Sequence, residues 1–97
     1  MGKASEVYSL NRKEIREITS RYPVTNVRLF GSVARGDDCD TSDIDLLVDP
    51  LPSATLFDLG GLQYELQSLL KVKVDLVTPG DLPINVREAV ITEAKPV

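Results

Sequence analysis

The stretch LFGSVARGDDCDTSDIDLLVD, Leu29 to Asp49, holds six aspartates in 21 residues. Two of them, Asp43 and Asp45, stand one residue apart in a run where Ile44, Leu46 and Val48 alternate with Asp43, Asp45 and Leu47. That period of two predicts a strand with one apolar face and acids on the other. Just upstream, Val27 to Phe30 reads as a short strand ended by Gly31, followed by a turn or one-turn helix over Ser32 to Arg35. Residues 36–42 are small or polar apart from Cys39 and read as a loop.

On the N-terminal side, Ser9 is placed to cap a helix over LNRKEIREITSRY, with Leu10, Ile15, Ile18 and Tyr22 roughly on one face and Pro23 as its stop. On the C-terminal side, SATLFDLGGLQYELQSLLK sets Leu59, Leu62, Leu66, Leu69 and Leu70 at helical spacing. Gly60-Gly61 weakens that pattern and implies close packing or a later true start. These leucines are expected in the core, with some left over for a partner surface. VKVDLVT is a third strand, with Val72, Val74 and Leu76 on one face and Lys73, Asp75 and Val77 on the other. LPINVREAVITEA is a final helix, with Ile84, Val90 and Ile91 available to the core. The order helix, strand, strand, helix, strand, helix predicts a small α/β sheet domain, one domain over 1–97, whose middle strands carry the acids.

Composition narrows the function. A chain of 97 residues builds one core but no second lobe, so a large substrate has to be brought by a partner. A net charge of −4 and a pI near 4.7 argue against direct nucleic-acid binding, which leans on surplus Lys and Arg. One cysteine and no histidine exclude an internal disulfide and a Cys/His zinc site. No apolar run approaches the roughly 20 residues of a membrane span, and the first residues lack an apolar leader. The expectation is a soluble, cytoplasmic protein with no membrane contact.

Asp43 and Asp45 lie two apart on a strand, so their carboxylates share a face at about 7 Å between Cα atoms. If the strand carrying Asp75 lies alongside, three carboxylates converge. Such a cluster repels itself unless a cation compensates, and all-oxygen ligands select Mg²⁺ or Mn²⁺. Two such ions can clamp the attacking and leaving oxygens of a phosphoryl transfer. Gly31 lets the backbone approach a ligand closely, and the amides and hydroxyl that follow at Ser32 suit a phosphate oxygen.

Gly31-Ser32, ten intervening residues, Asp43-Ile44-Asp45 and a third acid at Asp75 resemble the signature of the DNA polymerase β-like nucleotidyltransferase superfamily. The string FGSVARGDDCDTSDIDLLVD and the short chain are similar in particular to the minimal nucleotidyltransferase (MNT) antitoxins of HEPN–MNT toxin–antitoxin pairs. The resemblance implies a mixed sheet flanked by helices, the nucleotidyltransferase fold, and transfer of AMP from ATP. It implies that Asp43 and Asp45 hold two Mg²⁺ ions, and that Asp75 binds the catalytic one and assists deprotonation of the acceptor. It assigns Gly31 and Ser32 to phosphate contact. The family's acceptor is a tyrosine hydroxyl of a HEPN ribonuclease toxin, with which a hetero-oligomer is expected. Two alternatives stand beside this reading: a non-catalytic antitoxin acting by complex formation, and a small-molecule nucleotidyltransferase of the aminoglycoside type.

The other residues of the stretch read more plainly. Asp37, Asp38 and Asp40 belong to a solvated loop, and a calcium loop is excluded because Asp43 stands where its glycine is needed. Arg35 either neutralises a phosphate or pairs with a loop aspartate. Lys73 approaches a phosphate or is a solvated edge lysine. Cys39 is expected to be inert, with nothing nearby to lower its pKa.

Overall fold

The computed structural model describes Gly2 to Val97. Its order is α1 (Lys3–Leu10), α2 (Arg12–Thr19), β1 (Val24–Phe30), α3 (Gly31–Arg35), β2 (Ile44–Pro50), α4 (Leu56–Leu70), β3 (Val74–Val77), a 3-10 turn (Pro79–Asp81), α5 (Ile84–Glu93) and β4 (Lys95–Pro96). The strands form one mixed sheet in the order β3-β2-β1-β4. β1 runs antiparallel to β2 and to β4, and β2 runs parallel to β3, with α4 as the crossover between them. The expected α/β class and mixed sheet are therefore present.

The alternation read in β2 decides which face is core. Ile44 and Leu46 are fully buried and join Leu29 and Val74 from the neighbouring strands in one cluster. Ile15 and Ile18 of α2, Leu62, Leu66 and Leu70 of α4, and Ala4 and Tyr8 of α1 cover that face. Direct strand partners share a face, so Phe30 opposite Asp45 and Asp75 beside Asp45 lie on the other one.

Several expectations change. An unexpected helix, α1, precedes the expected one: Ser9 lies within α1 rather than capping, the expected helix begins at Arg12 and ends at Thr19 as α2, the side-chain amide of Asn11 between them donates to the Val7 carbonyl (2.8 Å), and Leu10 is exposed. β1 starts at Val24, not Val27. The polar pair Thr25-Asn26 hides its first half, since a bulge with Asn26 at φ 54 interrupts the register between Thr25 and Arg28. Asp49 secures this bulge by accepting from Asn26 Nδ2 (3.0 Å) and pairing with the buried Arg28 (2.7 Å). α4 runs straight through its glycines: Gly61 faces the Tyr22 ring while Gly60 faces open space. Its start is set by Thr55, which caps the Asp58 amide and receives the Asp58 carboxylate in return. Ile84, Val90 and Ile91 do not enter the core, because α5 has no buried residue at all, and Ile84 is 83% exposed.

Asp38 is the largest correction among the loop acids. It is buried, not solvated: its carboxylate accepts from the Gly2 amide (3.0 Å), the Ser5 amide (3.1 Å) and the Ser5 hydroxyl. The Ser5 hydroxyl above all, with these amides, holds its pKa below the usual carboxylate range. This one side chain fastens the start of α1 to the loop before β2.

Candidate active site

Strand register brings the predicted acids together. Asp45 lies in β2 directly beside Asp75 in β3, and the Ile44 amide donates to the Lys73 carbonyl (3.0 Å), which carries the parallel pairing back to Asp43. Asp43 itself immediately precedes β2. All three are partly exposed, at the end of the sheet where the chain enters β2 and β3 and leaves β1.

Gly31 closes the site from the β1 side. It is the partner-strand neighbour just beyond Phe30, which faces Asp45. Its φ of +77 is one that L side chains rarely adopt, and a Cβ there would overlap with Asp45 Oδ2. The glycine is thus required twice, by backbone conformation and by the Asp45 carboxylate packed against it. Ser32 follows, half-buried, in the five-residue α3, which ends at Gly36 in the left-handed region.

The electrostatics report a shortage of positive charge. Burial, then the Asp75 and Asp43 carboxylates, push the Asp45 pKa up to about 6, with Arg35 opposing. Lys73 reaches between the other two acids, with Nζ 3.7 Å from Asp43 and 3.9 Å from Asp75. It stays 66% exposed just before the edge strand β3, with its ammonium where a cation is wanted. Among the described residues no group of three acidic, His or Cys side chains is already drawn around one point. The donor set is nevertheless all oxygen, and its three carboxylates carry two more negative charges than Lys73 balances. It fits a hard divalent cation that draws the carboxylates inward.

Arg35 is committed on two sides, to Asp37 (3.3 Å) and to Glu93 at the end of α5 (2.8 Å). Glu93 also accepts the Gly31 amide (3.1 Å), a contact that no sequence motif pointed to. Arg35 first, then this amide, keep Glu93 below its ordinary pKa. Cys39 departs from expectation too: hydrogen bonds from Thr41 first, then Ser42, lower its pKa.

Comparison with known proteins agrees with this geometry. The Nucleotidyltransferase domain family matches residues 12–97, and the chain belongs to that family. Relatives named as protein adenylyltransferases include one from Methanocaldococcus jannaschii, 38% identical over 78 residues covering 80% of each chain. Another is MntA of Thermococcus cleftensis, 33% identical over 87 residues covering 90% of this chain and 85% of the relative. Among solved structures, a minimal nucleotidyltransferase superposes with a TM-score of 0.86 at 39% identity, covering 96% of this chain and 95% of the other. A toxin–antitoxin structure with AMP-PNP superposes at 0.75 and 26% identity, covering 89% and 71%. The protein is a nucleotidyltransferase of the minimal, antitoxin-like kind. No described helix is long and apolar enough to cross a membrane.

Proposed function

We propose that this chain is an antitoxin that transfers AMP from ATP to a tyrosine hydroxyl of a HEPN ribonuclease toxin. The observation that carries the reading is the register of Asp45 beside Asp75 with Gly31 packed on Asp45, which puts the Gly31-Ser32 turn and an acid cluster at one end of the sheet. Relatives named as adenylyltransferases and a toxin–antitoxin neighbour containing AMP-PNP support the choice of nucleotide and partner.

Asp43, Asp45 and Asp75 would hold two Mg²⁺ ions, which supply electrostatic stabilisation of the charge that builds on the transferring phosphate. The chain's own residues orient the reactants. Gly31 and Ser32 seat the phosphate oxygens, and Arg35 adds positive charge at the edge of that turn. Asp75, more open than Asp43 at 43% side-chain exposure against 32%, faces an incoming hydroxyl and takes up its proton. The tyrosine oxygen forms a bond to the α-phosphorus, the bond from that phosphorus to the α,β-bridging oxygen breaks, and pyrophosphate leaves. Positioning and electrostatics carry the rate, with no covalent enzyme intermediate.

The variant with Asp43→Asn and Asp45→Asn tests this against mere complex formation. It is expected to co-purify with the toxin yet fail to protect cells from it. Full protection by this variant would make the chain a non-catalytic binder.

A further inference from the structure

We infer that Glu93 is a positioning residue for nucleotide binding, a role that rests on the nucleotidyl-transfer reading above. It lies 62 residues from Gly31 in sequence, at the last position of α5, yet one carboxylate grips both ends of α3. Its Oε2 accepts the Gly31 amide at 3.1 Å and its Oε1 accepts Arg35 Nη1 at 2.8 Å. The side chain is 26% exposed, and both contacts favour its charged form.

The consequence is a turn held from two directions. Asp45 occupies the space where a Cβ of Gly31 would stand, and Glu93 takes the Gly31 N–H. Glu93 therefore fixes which way the left-handed Gly31 presents Ser32, and it holds the Arg35 guanidinium beside that turn. Without it, the Gly31 amide loses a charged acceptor and Arg35 is left to Asp37 alone, on the far side of the turn. Since α5 contributes no buried side chain, the contact serves the site more than the core.

The test is calorimetric titration of the full chain with AMP-PNP in MgCl₂, with thermal melts of the same proteins without nucleotide. Glu93→Gln keeps an oxygen for the Gly31 amide but gives up the charge that holds Arg35. It is expected to weaken AMP-PNP about tenfold, and Glu93→Ala to weaken it further, while the Gln variant melts with the wild type. Arg35→Ala should cost less affinity in the Glu93→Gln background than in the wild-type chain, because both changes break the same contact. Wild-type affinity in Glu93→Gln and in Glu93→Ala overturns the role. So does tighter binding, which would make the carboxylate a competitor for the phosphate seat. If Glu93→Ala does not fold, the Gln variant decides. A wild-type chain that binds no AMP-PNP overturns the functional reading itself, a result distinct from normal wild-type binding with unchanged variants.

Discussion

Within β2, burial and two neighbouring carboxylates raise Asp45 to about 6, against an ordinary aspartate near ~3.9. A carboxyl whose pKa rises on folding holds its proton more tightly when folded. Its penalty is therefore absent below the unfolded value and grows as pH rises through about 6. In EDTA, Asp45→Asn is expected to stabilise the chain at pH 7.5 by on the order of 1 kcal/mol, after allowing for solvent screening. At pH 4 the gain should vanish; denaturant titrations at both pH values check this, and a loss at pH 7.5 would show that the strain is not there. The acids and Gly31 were legible because each belongs to a local pattern, a period of two or a glycine at a strand end. Glu93 and Asp38 were not, because their partners lie 62 and 33 residues away and nothing in their neighbours marks them. Asp38 looked like one more solvated acid in a polar loop until α1, itself unread, was folded against it.

Among the elements, α4 offers the cleanest separation of local preference from packing. Gly60 lies in the helix interior with an ordinary backbone and open space where a Cβ would go. Gly60→Ala is expected to add roughly 0.5–1 kcal/mol by removing unfolded-state freedom, read as a shift of the urea midpoint at unchanged slope. A destabilised variant would mean that the glycine serves a contact outside this chain. The central strands and α4 could be read from periodicity because each buries one continuous stripe. α5 could not be assigned its burial in this way: Ile84 and Ile91 look like core residues in sequence and stand exposed in the fold. β4 is too short to leave a pattern, having two residues paired to Arg28 and Leu29. α1 escaped notice because Ser9 reads as a cap that starts a helix after it, while in the fold it lies inside one.

At the scale of the molecule, the mixed sheet does two jobs with two faces. One gathers Leu29, Ile44, Leu46 and Val74 under the helices, and the other aligns Phe30, Asp45 and Asp75 toward solvent. The parallel pairing of β2 with β3 turns a pair of acids into a cluster of three. α4 makes that pairing possible by carrying the chain back to the start of β3. Under the proposed function the acceptor lies on a partner, which ties the chemistry to complex formation. The central claim is that AMP, and not the intact triphosphate or a terminal phosphate alone, passes from ATP to that partner. Incubating the chain with Mg²⁺, the product of the gene beside its own as candidate toxin, and ATP labelled at either the α- or the γ-phosphate tests this directly. The α-label should appear on a toxin tyrosine and the γ-label in released pyrophosphate. An unlabelled toxin that is nevertheless neutralised, or a toxin carrying the γ-label, would contradict it.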